Sequence, residues 1–227
     1  MNKIKNVENY LKNLLFSGEI TIEELENLSV RLRDELKQPK KKNASSFSEV
    51  EVGWYAFAGG KFSPDPKAYA NCQGVVGWVN PDKSVPQGQR GLIVTPDEVK
   101  AVWSNDYCET NARDEYDGKY NTEKLIAYSK KHKIKFPAAE WCVAYCKNGV
   151  RPGEGFMPAK EQLKRIVANR MIVNPALQKI DGIKLSGWIW SSSEYAYDRA
   201  WVVGARGGNV YDGSKYAGLY VRCVLAF

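Results

Sequence analysis

The chain has 227 residues, 44% apolar and 12% aromatic, with seven Trp and thirteen Tyr. That is enough for one substantial core plus a small appendage, and it excludes wholesale disorder. The net charge of +7 divides into +2 over 1–43, +4 over 44–185 and +1 over 186–227, so no basic face argues for nucleic acid. No run approaches the roughly 20 apolar residues of a membrane helix. The start MNKIKNVENY has no apolar leader core, and five Cys make an odd count that suits free thiols.

In chain order, residues 1–38 read as a helical hairpin. Ile4, Val7, Leu11, Leu14 and Leu15 recur at helical spacing, and Ser17-Gly18 breaks the run. Thr21 then stands three residues before Glu24, and Leu25, Leu28, Leu32 and Leu36 share one face. A leucine stripe of this length needs cover, either from its own domain, from a second copy or from a partner. Residues 39–48 (PKKKNASSFS) are polar and read as a linker to a domain spanning 49–227.

The domain begins with β-type runs at 50–58 (VEVGWYAFA), 74–80 and 91–95. Helices are expected from an Asn121 cap to Lys130, from Pro137 to about Lys147, and from Pro158 to about Arg170. Strands return at 187–192, 200–206 and 220–227. Strands, helices and strands again predict an α+β fold whose two ends meet in one sheet.

Catalytic chemistry is sparse. Cys142 and Cys146, four apart on an expected helix, present two thiols on one face, with Cys108 or His132 as distant companions. Zinc needs four ligands at recognisable spacing, and core filling explains these residues better. His132 stands in a basic stretch with no oriented nucleophile beside it. Asp114, Glu115 and Asp117 lack the register of a calcium loop. No phosphate loop or nucleophile elbow is present, so no cofactor, metal or enzymatic activity is expected.

Composition changes at Tyr195. Residues 195–219 hold four Tyr and five Gly, a mixture that binding surfaces favour because Tyr gives rigid amphipathic area and Gly adaptability. Of these 25 positions, only Trp201 and Lys215 fall outside the residue set of NNY codons. Alternation over Trp201 to Arg206 puts Trp201, Val203 and Ala205 on an inward face and Val202, Gly204 and Arg206 on an open one.

The run W-S-S-S-E, then A-W-x-V, G-N-V, a lone Lys and Y-V-R-C-V-L-A-F resembles the variable region of diversity-generating retroelement target proteins. Upstream, GLIVTPDEVKAVWSND, AAEWCVAYCKNG and FMPAKEQLKRI resemble the preceding part of the same domain. The resemblance covers roughly 70–227 and implies a C-type-lectin-like fold of the formylglycine-generating-enzyme type. It also implies a segment diversified by reverse transcription at template adenines, displayed on one solvent-facing surface to bind a protein or cell-surface ligand.

Carried over by position, the implied ligand-binding residues are Tyr195, Ala196, Tyr197, Asp198 and Arg199. Val202, Gly204, Arg206 and Gly207 follow. Tyr211, Asp212, Gly213 and Ser214 precede Lys215, and Tyr216, Ala217, Gly218 and Leu219 come after it. Gly208, Asn209 and Val210 are expected as fixed turn and strand residues, with Trp188, Trp190, Tyr220, Val221, Arg222 and Phe227 as scaffold. The absence of a leader suggests a cytoplasmic or virion-associated protein, with self-association or partner attachment assigned to 1–38. The alternative is an enzyme or cofactor protein of the sulfatase-modifying type, which would need a reactive Cys near the surface. Cys223, in an apolar strand, is expected to be buried and inert.

Overall fold

A computed structural model describes residues 49–227; the hairpin expected over 1–38 and the linker 39–48 lie outside the described residues. The domain is α+β, built on one eight-stranded sheet with four helices. The strands are β1 (Tyr55–Phe57), β2 (Lys61–Ser63), β3 (Cys72–Val79), β4 (Gly91–Ala101), β5 (Trp188–Ala196), β6 (Arg199–Gly204), β7 (Val210–Ser214) and β8 (Leu219–Ala226). Between β4 and β5 lie α1 (Gly118–His132), α2 (Pro137–Ala144), α3 (Lys160–Ala168) and α4 (Arg170–Gln178).

The sheet order is β2-β1-β3-β4-β8-β5-β6-β7. The domain's two ends do meet: β8 pairs antiparallel with β4 over Leu92↔Ala226 to Ala101↔Leu219, and parallel with β5. Successive side chains enter opposite faces, and both faces are covered. Val76, Ile93, Leu225, Trp190 and Val202 pack with Leu125 of α1 and Cys142 of α2. Val75, Val94, Val224, Ile189 and Val203 pack with Leu163 and Ile166 of α3 and Leu177 of α4. A sheet covered on both sides reads as continuous apolar runs, which is why these strands show little alternation.

Local chemistry sets the helix ends. Asp117, rather than Asn121, caps α1: its carboxylate accepts the Tyr120 N–H at 2.9 Å. Asn121 is wholly buried one turn in, where it bridges the Asp114 backbone through both ends of its amide. Gln162 reaches back from α3 to accept the Ala159 N–H at 2.9 Å and the Gly118 N–H at 3.0 Å, tying two helix starts together. Helix α2 stops at Ala144, three residues short of the expected end. Cys146 therefore leaves the helix and is exposed while Cys142 is buried, so the two thiols do not share a face. Helix α4 is not among the expected elements; Pro175 lies inside it, and Val173, Ala176 and Leu177 seat its apolar face.

Register shifts interrupt several strand pairs, and two of them follow from the sequence. Pro96 sits in a register shift between Val94 and Glu98 of β4, where a missing N–H costs no ladder bond. In β5, the shift between Trp190 and Glu194 swallows the three serines. Ser191 Oγ donates to the Trp201 carbonyl at 2.9 Å and Ser193 Oγ to the Asp114 carbonyl at 2.7 Å. The W-S-S-S-E motif is thus a bulge whose hydroxyls replace strand partners and turn Glu194 inward.

Candidate functional site

The site is the end of the sheet where β5, β6 and β7 turn. Its root is a buried ion pair. Lys215 and Glu194 both have no side-chain exposure, and Nζ lies 2.6 Å from Oε1. Burying two charges is tolerable only if their remaining capacity is met, and here it is. The Glu194 carboxylate also accepts the N–H groups of Thr110 at 3.0 Å and Asn111 at 2.8 Å. Lys215 also donates to the Cys108 carbonyl at 2.7 Å and the Tyr197 carbonyl at 3.0 Å, with its ammonium 4.7 Å from the centre of the Trp103 ring. One ammonium therefore fastens three stretches of chain: the loop at 108–111, the end of β5, and the turn at 197.

Around this root, the sequence-expected residues divide. Tyr195, Tyr197, Arg199, Arg206, Gly207, Tyr211, Tyr216 and Gly218 are exposed. Ala196, Asp198, Asp212, Ser214, Ala217 and Leu219 are half-buried, the last two packed against core side chains. Val202 and Gly204 correct the expectation of an open face: both are buried. Alternation along β6 does not separate core from solvent, because Val202 packs into the cluster with Trp190 and Ala200 while Val203 packs into the opposite one with Leu163 and Ile166. Trp201, expected in the core, is only partly buried. Its ring lies 4.6 Å from that of Tyr195 and 4.8 Å from Lys160 Nζ.

Gly213 is also constrained. A Cβ built there would stand 2.9 Å from Trp190 Cη2, so the position accepts a side chain only if the Trp190 ring moves. Gly204 is tight in the same way against Trp188, 3.0 Å from Cζ3. Gly208 has φ of 72°, the left-handed region its turn requires, which fits the fixed role expected of it.

The exposed groups lie on both faces of the β6–β7 hairpin rather than on a single surface. Tyr211 pairs in register with Val202, and its ring meets Trp188 edge-on at 5.1 Å. Arg199 Nη1 reaches Asp212 Oδ2 at 2.7 Å on the opposite face, with Asp198 at 3.7 Å. At the hairpin's end, the ring of Tyr107 stands 4.2 Å from Tyr216 and 6.0 Å from Tyr197. Tyr107, and the half-exposed Trp188 read as scaffold, are members of this surface that the sequence reading did not assign. Trp188 is 41% exposed, and with Gly204, Arg206 and Asn209 it lines a shallow cleft of about 430 Å³.

No family model and no curated protein matches the chain. Among solved structures it is similar to a fimbrial protein from Bacteroides ovatus ATCC 8483, with a TM-score of 0.62 and 20% identity. The match covers 78% of this chain and 49% of that one, so the chain spans about half that protein's length. At this identity the likeness shows the fold alone.

Apart from Cys108, whose backbone belongs to the root, the thiols and the histidine stand apart from the site. Cys223 is wholly buried, with Sγ 3.6 Å from the Cys142 carbonyl. Burial pushes the Cys142 thiol well up, and the neighbouring Cys223 adds to it, so the nucleophilic thiolate is disfavoured. His132 is exposed in the last turn of α1 and stacks on Tyr128 at 4.1 Å. Asp114 and Asp117 are spent on local N–H groups, and Glu115 pairs with Lys160. Among the described residues no helix is long and apolar enough to cross a membrane.

Proposed function

We propose that this is a ligand-binding display protein with a C-type-lectin-like domain, whose segment 195–219 is diversified by a retroelement and recognises a protein or cell-surface ligand. The observation that carries this reading is the division of labour in the segment. Lys215, with its partner Glu194, is wholly buried and fixes the backbone, while Tyr195, Tyr197, Arg199, Tyr211 and Tyr216 stand in solvent on that fixed frame. Tyr and Arg dominate binding hot spots, and a pre-set frame lowers the ordering cost of association. The NNY residue set of the same segment supports its origin in adenine-rich template codons.

The packed positions narrow the proposal. Productive variation belongs at the exposed positions, whereas Val202, Gly204 and Gly213 tolerate few replacements. Two experiments test it. Sequencing DNA beside the gene should find a near-copy of the 195–219 coding segment rich in AAY codons next to a reverse transcriptase; absence of both removes the retroelement reading. A library randomised at the exposed positions should stay folded and yield binders to unrelated proteins, and a library that yields none removes the display reading. Attachment through 1–38 is the companion proposal. The intact chain should sediment as an oligomer and a chain starting at Ser48 as a monomer; two monomers would end it.

A further inference from the structure

We infer that the loop 104–109, outside the diversified segment, completes the ligand surface, and that Tyr107, Tyr197 and Tyr216 with Asp106 seat an arginine side chain of a protein partner. This rests on the display reading and adds to it the chemistry of one subsite.

The loop is held to the segment by the same buried cation. Lys215 donates from Nζ to the Cys108 carbonyl at 2.7 Å, and the Lys215 carbonyl accepts N–H groups of Trp103 at 2.9 Å and Ser104 at 3.2 Å. The Cys108 N–H donates to the Tyr197 carbonyl at 3.2 Å. Loop and segment therefore form one unit. The Tyr107 hydroxyl lies 3.2 Å from Ser214 Oγ, which fixes the direction of its ring. Tyr197 and Tyr216, 58% and 44% exposed, flank it, so aromatic surface from three positions meets solvent at one place.

Charge selects the ligand. Asp106 is exposed, and its Oδ1 accepts the Tyr107 N–H at 2.8 Å and the Tyr216 hydroxyl at 3.4 Å. No basic group among the described residues forms an ion pair with it. Lys215 is matched by Glu194 and Arg199 by Asp212, and Lys135, whose backbone is bonded to Asn105 of the same loop, forms no ion pair with Asp106. An unmatched carboxylate beside aromatic rings repels anions and offers an apolar group nothing that the rings alone do not. A cation gains from both, through the ring quadrupole and a charge-assisted hydrogen bond. Arginine suits the place better than lysine, because a planar guanidinium stacks on a ring while its N–H groups reach the carboxylate.

The test uses the full chain with carbon-13 in the tyrosine rings, each resonance assigned from a Tyr→Phe variant. The probe is the peptide acetyl-Gly-Arg-Gly-amide, with the citrulline and glutamate peptides as uncharged and anionic counterparts. Only the arginine peptide should shift the Tyr107, Tyr197 and Tyr216 signals, leaving Tyr195 and Tyr211 in place. Asp106→Asn and Tyr107→Ala should each weaken that binding about two- to fivefold. Should Tyr107→Ala lower the melting midpoint, Asp106→Asn decides alone, since that carboxylate is exposed. Equal binding of the citrulline peptide, no effect of Asp106→Asn, or shifts confined to Tyr211 would overturn the assignment. Such a failure is distinct from failure of the display reading, which the DNA sequence and the library decide without reference to arginine.

Discussion

Arg222 and Lys215 are both wholly buried, yet they serve different parts of the sheet. Arg222, on the central strand β8, donates through Nη1 to the carbonyls of Thr95, Pro96 and Asp97, and through Nη2 to Glu98, Ile183 and Lys184. It ties a bulge and a loop to strands already walled in on both faces. Lys215 does the same kind of backbone fastening at the sheet's edge, where the neighbouring side chains point into water. At the centre, packing and hydrogen bonding reinforce each other; at the edge, one buried cation substitutes for packing. If 195–219 is diversified as proposed, its changing side chains need a backbone held by groups that do not change.

Breaking the edge fastening should have the largest effect. Lys215→Met leaves the buried Glu194 carboxylate with only the half-exposed Arg113 guanidinium, 3.8 Å away, and should cost about 3–5 kcal/mol, read by urea unfolding. Adding Glu194→Gln should recover part of that loss; a single variant as stable as the parent would show that packing holds the edge after all. Next come the glycines. Gly213→Val drives a Cβ against Trp190 and should cost about 1–3 kcal/mol, whereas Gly218→Val, with nothing within 4 Å, should stay within about 0.5 kcal/mol.

The aromatic residues should grade by exposure. Trp201→Ala should cost roughly 1–2 kcal/mol, less than the about 3–5 kcal/mol of a fully buried Trp such as Trp103, because its ring is partly in water. Tyr211→Ala and Tyr216→Ala should change stability by only about 0.5 kcal/mol in thermal melts. A Tyr variant as damaging as Trp103→Ala would move that ring from the surface to the core.

The smallest effect concerns pH at the centre. Burial alone would raise the Asp97 carboxyl, but hydrogen bonds from Lys147 and Tyr145, with the charges of Lys147 and Arg222, hold it below its ordinary value. A depressed carboxyl contributes stability above its unfolded pKa of about 4 and loses it as pH falls through the lower folded value. The stability gap between the parent and Asp97→Asn should therefore be present near neutrality and close on acidification below about pH 4. Glu98, raised chiefly by burial despite Arg222, acts in the opposite sense, so the Asn variant is needed to isolate Asp97. A gap that ignores pH would mean the Asp97 contacts do not depend on its charge.

Much of this was legible in the sequence, and the omissions have physical causes. The α+β class, six of the eight strands and three helices follow from β-branched runs and helix-start signals, although α1 starts at Asp117 rather than at Asn121. Strands β2 and β7 were not expected: three residues of Lys-Phe-Ser carry no pattern, and V-Y-D-G-S has its Gly inside a strand. Helix α4 was hidden by Pro175. Lys215 was visible as a residue outside the NNY set, but its role was not, since its partners lie 18 to 107 positions away. Tyr107 escaped for the same reason: only the fold brings it to Tyr197 and Tyr216. The assignment of Val202 to the open face failed because alternation marks solvent only where one side of the sheet is bare.

The place of β8 has a consequence for inheritance. It lies downstream of 195–219 in the chain but between β4 and β5 in the sheet, where it pairs with both. Any error within that segment that shifts the reading frame or introduces a stop removes the strand on which the two halves of the sheet meet. Such a product has no route to a partial fold, because its remaining strands would expose long unpaired edges. If the segment is rewritten as proposed, the gene carries its own proofreading: only copies read through to Arg222 and beyond assemble a sheet, and garbled ones are lost to misfolding and degradation before they meet a ligand.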